Sequence, residues 1–362
     1  MRKRKRRWLG VGIGVAILAL VGYNLRHSPT WRNFNWARLW DSVTSARPEW
    51  LLAAVGVVYT TYLIRAVRWQ FFMSQIKKAS LRSLYAAQII GFSSIYLIGR
   101  PGEFIRPAYI AKKEDVPITS MLAVWLMERM FDAVFLVLLF SLALSLIPAG
   151  QMTARGTRVL NDLHHGGEVM LGVSALLVAL IVTYRLRTDQ VARWVLRGFA
   201  RFSAQTRRHA EHFLKSFAEG LGVIRDWPSF LASAVLTALL WSMNATIFWL
   251  VFHALRGGLA EMPWLAAAMV MFCAALGLAV QLPGIGGGYQ VAIILALTEV
   301  FAIEADVAAG AAILVWLVMI VPAMALAVVL LIREGLSIRR LEAIAAEEER
   351  VAELAQKEAA QK

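Results

Sequence analysis

The sequence predicts an all-α, polytopic integral membrane helical bundle with two re-entrant helical hairpins. Three observations carry that expectation. Hydrophobic residues fill 59% of the 362 positions and the mean hydropathy is +0.60, too apolar for a water-soluble chain of this length. Apolar runs near the ~20 residues needed to cross a hydrocarbon core of ~30 Å recur along it. Two further apolar runs are interrupted by Pro and Gly, at GRPGEFIRPAYIA (99–111) and QLPGIGGGYQ (281–290), one in each half. Such paired breaks are what an inverted repeat produces in transporters.

The N-terminal MRKRKRRW precedes an apolar run with no convincing small-residue cleavage site after it, so residues 8–25 read as an uncleaved first span with its basic end in the cytoplasm. Residues 26–50 interleave Trp31, Trp36, Trp40 and Trp50 with arginines, the pattern of an interfacial amphipathic piece on the outer face. The second span, 51–73, returns inward. Its Arg65 and Arg68 can snorkel to the cytoplasmic interface beside Trp69; anchoring is the preferred reading, and a substrate role is the alternative.

The third apolar piece, 84–98, is too short to cross. Treating it as one arm of a re-entrant hairpin that turns at GRPGE keeps Lys112 and Lys113 inside. Pro101 and Pro107 both suit the first turn of the returning helix. A long helix over 119–147 then runs outward between Pro117 and Pro148. The loop 151–168 carries His164, His165 and Glu168, read as plain polar residues rather than metal ligands.

A span at 169–184 comes back in. The arginine-rich stretch 185–227 suits either basic amphipathic helices on an anionic leaflet or a solvated cytoplasmic linker. A span at 230–252 runs outward, a second hairpin over 263–303 enters and leaves on the outer side, and the last span, 307–332, ends inside before Arg333, Arg339 and Arg340. Residues 1–335 thus form one transmembrane domain, and 336–362 a charged, solvated cytoplasmic helix. Both termini are cytoplasmic under this topology. The net charge of +14 follows from Lys and Arg flanking the spans, so no nucleic-acid partner is expected. The lone cysteine, Cys273, forms no intrachain disulfide.

The candidate site is where charge and broken helices meet. A helix beginning inside the membrane aims free N–H groups and a positive dipole end at whatever occupies the centre, which favours an anion. Arg100 and Arg106 add full positive charge at the first tip, Gly102 allows close backbone approach, and Glu103 serves as counter-ion or gate. At the second tip Gly284, Gly286 and Gly287 offer amides for an anion nest, followed by Tyr289. The glycine run lacks both the Walker lysine and a preceding strand, so it is not read as a nucleotide loop. Glu128 and Asp132 share a helix face, with Arg129 three residues before Asp132; they are either an internal ion pair or part of a pathway.

These stretches carry a resemblance. GRPGEFIRPAYIAKK at 99–113, MERMFD at 127–132, RAVRW at 65–69 and LPGIGGGYQ at 282–290 make the chain similar to the flippase-like transmembrane domain of lysylphosphatidylglycerol synthases, over roughly residues 8–335. The resemblance implies a stand-alone, polytopic inner-membrane domain that moves phospholipids or related lipid-linked anions between leaflets. The soluble domain with which bifunctional members transfer lysine does not follow, so synthase activity is not expected. Tyr289 and Gln290 stand where a charged residue would be looked for after the glycines.

The expected function is therefore non-enzymatic movement of an anionic lipid headgroup, with membrane phospholipids as partners, no cofactor, and no nucleotide-binding motif. A secondary transporter for a small anionic solute and, behind it, an intramembrane lipid-modifying enzyme are the rival classes. Association into a homo-oligomer stays open.

Overall fold

Helix starts and stops follow the punctuation of the chain. The computed structural model describes residues 34–98, 100–146, 226–278, 281–282 and 286–333, with single positions between 172 and 183. The expected span at 8–25, the loop with His164, His165 and Glu168, the stretch 185–225 and the tail 336–362 lie outside the described residues, as does the span at 169–184 beyond those single positions.

Helix α1 (Trp36–Thr44) is capped by Asn35, whose side chain accepts from the amides of Ala37 and Arg38. Helix α2 (Pro48–Phe72) starts with proline at its first turn, where the missing N–H costs nothing. Helix α3 (Leu81–Ile98) leads through a 3-10 turn (Arg100–Phe104) into α4 (Ile105–Glu114), and α5 (Ile118–Leu146) follows Pro117. Later come α6 (Trp227–Ala254), α7 (Trp264–Gly277), the two-residue strands β1 (Gln281–Leu282) and β2 (Gly286–Gly287), α8 (Gly288–Leu295) with a π turn after it (Ala296–Val300), and α9 (Ala305–Arg333).

Among the described residues four helices, α2, α5, α6 and α9, are long and apolar enough to cross a membrane. The protein is an all-α polytopic membrane helical bundle. Two details differ from expectation. Helix α3 begins at Leu81, three residues earlier than expected, and reaches 18 residues. A strand does precede the glycine run, although it is only the short antiparallel pairing of Gln281 with Gly287 and Leu282 with Gly286.

The chain divides into two compact units. The first takes Met1–Val58, Leu142–Gly166 and Asn244–Ile320. Here α7 and α8 lie against each other through small residues: a Cβ on Gly277 would collide with the Gly288 carbonyl and come 2.7 Å from Ala292 Cβ. Close backbone approach of this kind replaces the hydrophobic drive that helices lack in lipid. Helix α1 rests on the start of α9, where Leu39 and Ser42 line Gly310 and Arg38 reaches Glu304 at 2.5 Å.

The second unit takes Tyr59–Ser141, Gly167–Met243 and Val321–Lys362. Helices α3 and α4 form an antiparallel hairpin in it. Gly102 presses on the backbone of Ser94 and Ile95, Gly91 lies beneath Arg106, and Lys77 before α3 donates to the Glu114 carbonyl at the end of α4. An apolar cluster including Trp69, Phe72, Ile90, Ile105, Ile110 and Phe131 packs around it, with edge-to-face contacts of Phe131 to Phe72 (5.5 Å) and Phe230 (5.3 Å).

The glycines give a direct test. A Cβ at Gly102 would stand 2.6 Å from Ser94 and Ile95 backbone atoms, and one at Gly91 would stand 2.6 Å from Arg106 Cβ, whereas one at Gly56 meets nothing within 4 Å. Gly102→Ala and Gly91→Ala are each expected to destabilise by ~1–3 kcal/mol, and Gly56→Ala to be neutral or to stabilise by up to ~1 kcal/mol. Thermal midpoints of the purified protein in detergent check the ranking.

Candidate functional site

Five helices of the second unit bring their polar side chains to one place. Helix α5 presents Glu128 and Asp132 one turn apart, both buried. Ionised groups at this depth need partners, because no water replaces their lost hydration. Helix α2 supplies Arg68, whose Nη2 donates to Glu128 Oε1 (2.6 Å) and whose Nη1 donates to Asp132 Oδ1 (2.6 Å) and Thr237 Oγ1 (2.9 Å). Helix α4 supplies Arg106. Its Nη2 pairs with Glu128 Oε2, and its Nη1 donates to Gln88 Oε1 on α3 (2.7 Å) and to Glu128 Oε1 (3.2 Å). Helix α6 completes the set, with Trp241 Nε1 donating to Asp132 Oδ1 at 3.3 Å.

Arg68 departs from its expected place. Expected to snorkel outward with Trp69, it is fully buried, and so is Trp69. The reason is the pair of carboxylates on α5, which offer a guanidinium geometry and charge that an interface cannot match. The available signal was stoichiometric: Glu128 and Asp132 within one apolar segment call for buried cations from neighbouring segments, and RAVRW supplies one.

The other expected residues fall into groups. Because α4 begins at Ile105, Arg106 sits in its first turn and reaches back past α3 to Glu128 rather than lying at the tip. Its guanidinium also lies over the rings of Trp69 (5.0 Å) and Phe92 (4.9 Å). Arg129 approaches Asp132 (3.4 Å) and Glu128 (3.6 Å) but keeps 36% of its side chain exposed. An open recess is bordered by Arg106, Arg129, Glu103, Phe92 and Trp125. Arg129 Nε and Trp125 Nε1 are buried donors without a hydrogen-bond partner. Gly102 serves the packing of the hairpin, and the Arg100 side chain lies outside the described residues.

The glycine-rich residues belong to the first unit. Gly284 lies outside the described residues and Gly286 stands in β2. Gly287, at φ 102°, has its amide taken by Gln290 Oε1 (2.8 Å), so that amide is not open for an anion. Tyr289 is buried; its hydroxyl donates to Met319 Sδ (3.0 Å) and its ring meets Phe248 edge-on. Among the described residues no three His, Cys, Asp or Glu side chains could together hold a metal ion.

The family model described as "Lysylphosphatidylglycerol synthase TM region" matches residues 7–327. The chain belongs to that family. No curated protein and no solved structure matches it. For this member of the lysylphosphatidylglycerol synthase transmembrane family, the matched length reaches into both units and includes every residue of the buried network.

Arg68→Met removes the guanidinium that bridges both carboxylates. The change is expected to cost ~3–5 kcal/mol, since it leaves buried charge unpaired. Arg129→Gln, which breaks only the longer contacts, is expected to cost under ~1 kcal/mol. Thermal unfolding in detergent, read by size-exclusion recovery of the heated protein, checks the contrast.

Proposed function

We propose that this protein moves an anionic phospholipid headgroup between leaflets, with the recess beside Arg106 and Arg129 as the headgroup site. The observation that carries the reading is the excess of donors at that point. Arg129 Nε and Trp125 Nε1 are buried at the recess with no acceptor, and Arg129 is joined to Asp132 and Glu128 only at 3.4 and 3.6 Å. A phosphate brings negative charge and several acceptor oxygens to such a place. The recess is partly open; in this reading the acyl chains stay in lipid and the headgroup enters as the Arg129 side chain moves aside.

Glu103 on the rim then acts as the gate: its carboxylate competes with the phosphate for Arg129. The α3–α4 hairpin serves as a re-entrant element, with the tie between Lys77 and the Glu114 carbonyl holding both of its ends on one side. Both termini face the cytoplasm, and the membrane is the inner one. Synthase chemistry has no part in this reading.

The test uses proteoliposomes with a fluorescently labelled phosphatidylglycerol, leaflet exchange being read by dithionite quenching. Wild type is expected to exchange lipid faster than empty vesicles. Arg129→Gln is expected to slow exchange about tenfold, the loss of one charge-assisted hydrogen bond of ~1.5 kcal/mol. Exchange equal to that of empty vesicles, combined with uptake of a soluble organic phosphate, would instead make the protein a transporter of small anionic solutes.

A further inference from the structure

The base of the α3–α4 hairpin carries cations that neither the buried network nor the recess uses. Gln70 fixes the turn before α3 by donating to the Ala79 carbonyl (3.0 Å), and Lys77 ties that turn to the end of α4 through the Glu114 carbonyl. The two ends therefore lie together, bringing Lys77, Lys78 and Arg82 to Lys112 and Lys113, all of them exposed. Arg333, exposed at the end of α9, follows Leu331, which belongs to the same apolar cluster as Met73, Ala79 and Ala111. The carboxylates at this end are those of Glu114, which is buried, of Asp115, and of Asp226, which accepts from the Ser229 amide where Ser229 meets Ser74. Among the described residues Lys78, Arg82 and Lys112 have no ion pair and no hydrogen bond.

The fold gains nothing from this convergence of charge. Lys112 and Lys113 sit in the last turn of α4, where a helix dipole favours cations. Arg82 sits in the first turn of α3, where it opposes the dipole, and no acidic residue stands there to offset it. Topology needs only that lysine and arginine lie on one side of the membrane, not that they meet. Two exposed apolar side chains give the level of this end. Leu81 stands beside Arg82, and Trp227 at the start of α6 lies edge to face on Phe230 (5.6 Å), which packs on the same apolar cluster. A tryptophan at the end of a spanning helix marks the depth of lipid headgroups.

We propose that the base of the hairpin binds the anionic headgroups of the leaflet on its own side, gathering the lipid that the recess at the hairpin's tip takes up. Unpaired ammonium and guanidinium groups at headgroup depth attract phosphate without fixing one molecule in one pose, which suits a collecting surface. The inference rests on the orientation given above, and only its link to transport rests on the headgroup reading.

The experiment places the full-length protein in phosphatidylcholine bilayers with a trace of phosphatidylglycerol or phosphatidylcholine spin-labelled on the acyl chain. The motionally restricted fraction of each label gives their relative association with the protein. Wild type is expected to favour phosphatidylglycerol, and about 1 M salt, which shortens the Debye length to ~3 Å, to erase the preference. Lys78→Gln, Arg82→Gln and Lys112→Gln should each lower the ratio by up to roughly fivefold, as for one basic residue lost at a lipid surface, and the triple change should bring it near parity. Arg82→Lys should keep the preference. The thermal midpoint of Arg82→Gln should equal or exceed that of wild type. Arg129→Gln should slow leaflet exchange and keep the ratio.

An unchanged ratio in the triple variant would overturn the inference, and a lowered midpoint in Arg82→Gln beside it would make the cluster structural. A preference that emerges only when Glu347, Glu348 and Glu349 are replaced by Gln would also overturn it, giving the cluster to that acidic segment of the chain. Absence of leaflet exchange in wild type would sink the headgroup reading, while the ratio still decides this one.

Discussion

The carboxylate of Glu128 accepts from Arg68 and Arg106 at once, and the second unit is arranged around that fact. Within lipid, apolar side chains gain little by leaving one apolar neighbour for another, so the hydrophobic effect does not choose helix partners. An ionised group does choose. Glu128 ties α5 to α2 and α4, and Asp132, one turn on, ties α5 to α2 again and to Trp241 of α6. Arg68 is the common member of both pairs. Removing it would leave Glu128 to Arg106 and Asp132 to Trp241 and the more distant Arg129, with α2 no longer tied to α5 by charge.

That network depends in turn on two glycines. Arg106 reaches Glu128 because α4 folds back closely along α3, with Gly91 of α3 carrying no Cβ where Arg106 passes and Gly102 of the turn carrying none where it meets the α3 backbone at Ser94 and Ile95. The 3-10 turn before Ile105 then sets the rotation of α4, placing Arg106 in the first turn with its guanidinium toward Gln88 and Glu128. Steric clearance thus comes first and electrostatics second. The order matters because a salt bridge formed across a loose hairpin would not repay the desolvation of its ions.

Much of this was legible in the sequence. Long apolar runs, proline and glycine breaks and the i, i+4 carboxylates are local signals, and they located the spanning helices α2, α5, α6 and α9, the α3–α4 hairpin and the acidic face of α5. Partnership is not local, and the sequence does not show it. Arg68 near the end of an apolar helix looks the same whether it reaches for water or for a carboxylate; the answer lies 60 residues away in Glu128. Gly287 departs from expectation too: a glycine permits an open amide, yet the Gln290 side chain closes back on the Gly287 amide at the start of α8.

The buried network also divides by how fully its members are satisfied, and the division separates holding from exchange. Arg68 and Arg106 donate at short distances to buried carboxylates, so a ligand competing for them would have to break contacts that keep the helices together. Arg129 is joined only at 3.4 and 3.6 Å, stays partly exposed and keeps an unpartnered Nε beside the recess. A ligand can take up that residual capacity without dismantling the fold. In the proposed role, a cation of this kind suits reversible binding better than a saturated pair, because less of the binding free energy is spent on rearranging the host.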